Sequence, residues 1–121
     1  MHRALVIPVC VVIAVLVLAG CGAAEPVVVP EGAVLIDVRT AAEFADWHAP
    51  QAVNLPHDRI ADTIAGQVPD KATPIAVYCR SGNRSGQAQA SLQRLGYTQV
   101  VNIGGLSEVR AWLAQSAVPV P

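Results

Sequence analysis

The sequence predicts an α/β fold: a central, mainly parallel sheet flanked by helices. Three observations carry that prediction. Two continuous apolar runs with β-branched residues, Ala33–Val38 (broken by one Asp) and Ile75–Tyr78, read as strands buried on both faces, as a parallel sheet requires. Segments of helical periodicity alternate with such runs along the chain. The second run ends in Cys79, and a short polar loop containing Gly82 leads into a helical pattern, so a thiol sits where strand turns into helix.

Taken in order, residues 1–20 read as a targeting segment. His2 and Arg3 give a basic start, and Leu5 to Ala19 is an apolar run of 15 residues. A spanning helix needs about 20 such residues, whereas this length suits a signal peptide; an uncleaved N-terminal anchor is the plainer alternative. The run closes on Leu18-Ala19-Gly20-Cys21, which resembles the bacterial lipoprotein box. That resemblance implies cleavage before Cys21 and lipidation of its thiol, with the remaining chain exported and held at a membrane. Residues 21–32 then form the lipidated Cys and a tether, 33–115 the folded domain, and 116–121 a C-terminal tail. Removal of residues 1–20 takes Arg3 with it, leaving seven basic against nine acidic residues, a net charge of −2 over 101 residues. No basic footprint for nucleic acid remains, and the length suits one small domain. The mean hydropathy of +0.44 is inflated by the apolar leader.

Val27-Val28-Val29 in the tether has the composition of a short edge strand, ended by Pro30. After the Ala33–Val38 strand, Thr40 and Glu43 form a capping box for a helix from about Ala41 to Trp47, with Phe44 and Trp47 facing inward. Arg39 and Glu43 are expected to pair and hold the turn. Asp58 is a candidate cap for a short helix with Ile60, Ala61, Ile64 and Ala65 on one face and Gly66 as its stop. Pro69–Pro74 is a surface loop into the Ile75–Tyr78 strand. The next helix begins near Asn83–Ser85, with Ala88, Leu92 and Leu95 as its inner stripe and Gly96 as its C′ residue. Tyr97–Ile103 returns as a strand, Gly104-Gly105 punctuates, and Leu106–Gln115 reads as a last helix with Leu106, Val109, Trp112 and Leu113 inward.

The chemistry concentrates at Cys79-Arg80-Ser81-Gly82-Asn83-Arg84-Ser85. A Cys at a helix N-terminus faces unpaired N–H groups and the positive end of the macrodipole, which favours thiolate over thiol. Arg80 and Arg84 add anion-binding forks. Once Cys10 leaves with the leader and Cys21 is acylated, Cys79 is the one free thiol. The absence of a resolving Cys argues against dithiol redox chemistry. His48 and His57 have no partner at metal-ligand spacing, so neither metal nor cofactor is expected. The plain structural alternative for Cys79 is a small buried residue closing a strand.

This loop resembles the active-site loop of the rhodanese (thiosulfate sulfurtransferase) family, Cys-Arg-x-Gly-x-Arg/Thr-Ser, at every fixed position. Ile36-Asp37-Val38-Arg39-Thr40, followed by Glu43-Phe44, resembles the first signature of that family. His48, Pro50, Ala52, Asn54 and Pro56 match a second stretch, in which Trp47 and Gln51 stand where the family usually has Gly. Leu95-Gly96-Tyr97 through Trp112 resembles its C-terminal portion, so the likeness spans about residues 33–114. It implies the family's three-layer fold and a Cys79 persulfide formed from thiosulfate or a similar donor and handed to a thiophilic acceptor, cyanide or a thiol. It further implies that Arg80, Ser81, Gly82, Asn83, Arg84 and Ser85 bind the donor, through converging N–H groups and arginine forks. Asp37 and Arg39 give support from beneath, Asp37 lying near the loop arginine as charge support or as a plain structural ion pair. His48 reads as a histidine satisfied by backbone partners near Ala52–Asn54, and His57 is a weaker candidate for lining the pocket. Two other readings use the same cysteine: a sulfur carrier serving a protein acceptor without turnover, and a Cys-dependent phosphatase or arsenate reductase. Only four residues separate Cys79 from Arg84, one fewer than in Cys-based phosphatases, and the shorter loop favours sulfur over phosphate.

Overall fold

The computed structural model describes residues 27–116. The expected signal segment, Cys21, the start of the tether and residues 117–121 lie outside that range. Four strands and four helices alternate: β1 (Val34–Asp37), α1 (Ala41–Asp46), β2 (Val53–Asn54), α2 (Ile60–Gln67), β3 (Ile75–Tyr78), α3 (Asn83–Arg94), β4 (Val100–Gly104) and α4 (Leu106–Ser116). The sheet order is β2-β1-β3-β4, and every pairing is parallel. The two apolar runs thus become the two central strands, paired from Val34–Ile75 to Asp37–Tyr78.

Strand residues alternate between two cores, because successive side chains point to opposite faces. Ile36, Val38, Ile75, Val77 and Cys79 face α2 and α3, where Ile60, Ile64, Ala88 and Leu92 meet them. Leu35, Ala76 and Tyr78 face the other way, toward Ala49, Val109, Trp47, Leu106, Trp112 and Leu113. The result is a three-layer α/β sandwich. Each fully buried Ile or Leu contributes about 1.5–3 kcal/mol by leaving water.

Several local expectations need correction. Val27–Val29 forms no strand; Val27 and Val28 are exposed, and Val29 packs against the second core. The capping box of α1 is present, the helix runs Ala41–Asp46 with Trp47 as its C-cap, and Trp47 packs against the second core, whereas Phe44 stacks on His48 with ring centroids 3.8 Å apart instead of entering a core. Asp58 does not cap α2: its N-cap is Arg59, without a side-chain bond. Gly66 lies inside that helix, which runs on because Val68 completes the Ile60–Ile64 stripe and its N–H bonds the Ile64 carbonyl at 2.7 Å. Leu95 is exposed. Its place on the inner stripe passes to Tyr97, whose N–H closes a Schellman cap on the Leu92 carbonyl and whose hydroxyl donates to the Val68 carbonyl.

Two backbone features shape the site end of the sheet. The β3–β4 register slips between Val77 and Tyr78, so that Val77 faces Asn102 but Tyr78 faces Gly104. This bulge places the Gly104 carbonyl to accept the Cys79 N–H at 2.9 Å. At Gly105 a Cβ would lie 2.6 Å from the Arg80 carbonyl oxygen, so only glycine lets the two loops approach.

The turn into β2 carries strain. Gln51 holds φ at +66°, where a side chain costs roughly 1–2 kcal/mol. Trp47, the other residue standing in place of a glycine, is extended at φ −160° and needs none. Gln51→Gly is expected to raise unfolding stability by about 0.5–1 kcal/mol, the strain relieved less the entropy that glycine loses on folding. Denaturant titration of the pair checks this; a less stable variant refutes it.

Candidate active site

Cys79 leaves the C-terminal end of β3, and the chain turns at once into α3. Gly82, at φ +97°, is the left-handed N-cap residue that folds the loop back over the sulfur. Its N–H donates to Cys79 Sγ at 2.9 Å. The Ser85 hydroxyl lies 3.3 Å from Sγ, 3.0 Å from the Gly82 carbonyl and 3.4 Å from the Gly104 carbonyl. One hydroxyl hydrogen serves one acceptor well, so its bond to sulfur strengthens as the sulfur takes charge.

Cys79 has no exposed surface. Burial raises the pKa of its thiol. Hydrogen bonds from the Ser85 hydroxyl and from the N–H groups of Ser85, Ser81 and Gly82 outweigh burial and hold it below the ordinary value. Within the run Arg80–Ser85, the groups that lower the thiol pKa are the N–H groups of Ser81, Gly82 and Ser85 and the Ser85 hydroxyl. Arg80 turns its carbonyl to the Leu106 N–H at 3.2 Å, and Ser81 bridges to Gly105. Asn83 opens α3 and is exposed.

The arginines divide. Arg84 forks onto Glu43, with Nη1–Oε1 at 2.6 Å and Nη2–Oε2 at 2.9 Å. Arg80 is exposed and makes no ion pair among the described residues. The expected Arg39–Glu43 pair does not form. Arg39 turns inward to Asp37, with Nη2–Oδ2 at 2.6 Å and Nε within 3.1 Å of both oxygens. Asp37 is fully buried and Arg39 only 4% exposed. An unpaired carboxylate there would be too costly, so the nearest guanidinium is drawn in and Glu43, on the exposed turn, is left for Arg84. The Asp37 partner is thus Arg39 rather than a loop arginine. The carboxyl bond raises the Arg39 pKa further.

Tyr78 and Asn102, which no motif marks, also support the site. The Tyr78 hydroxyl donates to Asp37 at 2.8 Å and accepts the Ala49 N–H at 3.0 Å; burial, above all, pushes its pKa up to about 12. The signal was a lone hydroxyl in an otherwise apolar strand, since a buried Tyr O–H needs a partner. Asn102, the one amide in the β4 run, reaches the Gly82 carbonyl at 3.4 Å. His48 is held by the Phe44 carbonyl at 2.8 Å, one turn back, rather than by Ala52–Asn54. The His57 main-chain N–H bonds the Val38 carbonyl.

Residues 25–111 match the model of the rhodanese-like domain. The chain belongs to the rhodanese family and is a sulfurtransferase. It is 42% identical over 74 residues to the thiosulfate sulfurtransferase PspE of Escherichia coli, covering 61% of this chain and 71% of that one. It is 39% identical over 90 residues to a sulfurtransferase of Allochromatium vinosum, covering 74% and 79%. Among solved structures, a rhodanese with anions from E. coli superposes with a TM-score of 0.60 at 36% identity, covering 73% of this chain and 93% of that chain. A human single-domain sulfurtransferase superposes at 0.58 with 26% identity, covering 72% and 82%.

The Glu43–Arg84 pair of this rhodanese domain titrates in a defined window. Its bond to Arg84, chiefly, lowers the Glu43 pKa from 4.5 to about 2. The pair's contribution is therefore complete above pH 4.5 and is lost as pH falls to about 2. Glu43→Gln, which keeps the capping box, should cost about 1 kcal/mol at neutral pH. The gap between wild type and variant should close across that window in urea unfolding at each pH. A gap independent of pH would remove the ion pair as its source.

Proposed function

We propose that this chain moves sulfane sulfur from thiosulfate or a similar donor, through a Cys79 persulfide, to a thiophilic acceptor such as cyanide or a thiol. The observation that carries the reading is Sγ at the focus of the Gly82 N–H and the Ser85 hydroxyl, at the mouth of a helix. That setting keeps a thiolate available and disperses the charge of the persulfide's terminal sulfur. The thiolate attacks the donor's outer sulfur; the donor's S–S bond breaks and its electron pair leaves with sulfite. The acceptor then attacks the terminal sulfur of the persulfide, the new S–S bond breaks, and Cys79 departs as thiolate. Arg80, exposed and free of an ion pair among the described residues, is the proposed contact for the donor's sulfonate, and Arg84 adds charge behind it while held by Glu43. Because Cys79 is fully buried, the loop must shift to admit the donor. At the position where phosphatases carry arginine, Ser85 is bonded to the sulfur, which does not suit a phosphate ester.

Thiosulfate:cyanide turnover, with intact mass before and after thiosulfate, tests the reading. Wild type should turn over and gain one sulfur, and Cys79→Ser should lose both signals. A mass gain without turnover would favour the carrier that hands sulfur to a protein acceptor. Neither signal would overturn both readings.

The leader supports a second proposal, that the domain is exported and held at a membrane by a lipid on Cys21. Cys21→Ser should move the protein from the membrane fraction to the soluble fraction without loss of sulfur transfer. Persistence in the membrane fraction would refute lipid anchoring.

A further inference from the structure

Asn102 is the one amide on β4, a strand otherwise of valine, isoleucine and glycine. Its side chain lies under the first turn of α3, with Nδ2 3.4 Å from the Gly82 carbonyl. That carbonyl can only accept, so it fixes which amide atom faces it. The other atom, Oδ1, is buried and has no hydrogen-bond partner among the described residues. A buried acceptor left unpaired costs stability that a valine at this position would not. What the amide does supply is one donor, aimed at Gly82. Three donors surround that carbonyl: the Gly86 N–H at 3.0 Å, the Ser85 hydroxyl at 3.0 Å and Asn102 Nδ2. A carbonyl oxygen has two lone pairs. The Gly86 N–H, fixed by the helix, takes one, and the hydroxyl and the amide compete for the other. The Ser85 hydroxyl has a single hydrogen to give. Its other acceptors in reach are Cys79 Sγ at 3.3 Å and the Gly104 carbonyl at 3.4 Å, and the latter already holds the Cys79 N–H at 2.9 Å.

We propose that Asn102 is a positioning residue for sulfur transfer: it occupies the Gly82 carbonyl and so turns the Ser85 hydroxyl onto the Cys79 sulfur. The proposal rests on the sulfur-transfer reading for its chemistry and deepens it. When Cys79 ionises, the hydroxyl hydrogen swings from the carbonyl to the sulfur, a rotation about one C–O bond, and the Asn102 amide takes the place it leaves. The Gly82 carbonyl therefore keeps two donors in both states, and no buried acceptor is stripped to serve the thiolate. The bond to sulfur is strongest when the sulfur is charged. It thus counts most when the thiolate attacks the donor and when Cys79 departs from the persulfide as thiolate. Without Asn102 the hydroxyl has a neutral acceptor to itself at 3.0 Å, and the sulfur must compete for it.

The pH dependence of Cys79 alkylation by iodoacetamide, followed by the mass of the Cys79 peptide, reads the thiolate without sulfur transfer. Across that range Arg84, which interacts with the Cys79 charge, and Glu43, which holds Arg84 and has its pKa at about 2, both keep their charges. Asn102→Leu, of similar shape, should move the inflection to higher pH and slow alkylation below it about tenfold, as weakening a bond to a charged acceptor does. Ser85→Ala should slow it at least as much, and adding Asn102→Leu to Ser85→Ala should then change nothing further. Asn102→Ala carries the same cycle if leucine does not pack. Persulfide loading from thiosulfate, read by intact mass, should slow in step with alkylation. A loss of stability with the inflection unmoved would mark a structural residue and overturn the proposal, as would effects that add across Ser85→Ala. Failure of wild type to load overturns the sulfur-transfer reading, while the alkylation cycle still decides whether Asn102 acts through Ser85.

Discussion

The site end of the molecule rests on one buried carboxylate. Asp37 closes β1 beneath the loop and accepts four kinds of donor: the Arg39 N–H, its Nε, its Nη2 and the Tyr78 hydroxyl. Burying a charge pair costs several kcal/mol for each ion before any compensation, so the arrangement persists only because nearly every polar atom is matched. Arg39 extends the network to the Trp47 carbonyl, and Tyr78 extends it to the Ala49 N–H. One carboxylate thereby ties the two central strands to the irregular segment between α1 and β2, where no helix or ladder would otherwise satisfy the main chain.

That network sits directly under the nucleophile. Tyr78 is fixed on one face of the sheet, so the next residue, Cys79, must point to the other, into the core shared with α3. The thiol is then subject to two opposed effects. Burial favours the neutral form, and the hydrogen bonds of the loop favour the charged one. The hydrogen bonds outweigh burial and hold the thiol below its ordinary pKa, the Gly82 N–H donating to sulfur at 2.9 Å. Gly82 is the residue that lets the backbone take that path, and the β4 bulge supplies the carbonyl that anchors the Cys79 N–H.

The arginines show how tertiary packing reassigns charges that sequence spacing only suggests. Arg39 and Glu43 are four residues apart, a separation at which a pair on a helix is natural. Arg39, however, lies before α1, beside a buried carboxylate, and Glu43 faces α3 across the loop. Desolvation decides the outcome: the buried Asp37 has the greater need of a counter-charge. A second consequence is that α1 is pinned to α3 by Glu43 and Arg84, while Arg80 remains turned to solvent.

From the sequence by itself follow the α/β class, the two buried central strands, the capping box of α1, the start of α3 and the thiol at its N-terminus. All of these are local: they depend on periodicity, capping residues and the order of a few neighbours along the chain. The family resemblance was also legible, because its loop motif is contiguous. Only the tertiary structure decided the partner of each charge, the burial of Cys79, the part played by Tyr78, the passing of an inner position from Leu95 to Tyr97, and the meeting of Asn102 with the Gly82 carbonyl. Each of these depends on which groups far apart in sequence come close enough to compete for the same hydrogen bond, charge or apolar surface. That competition is settled by desolvation and packing, which a linear pattern does not contain.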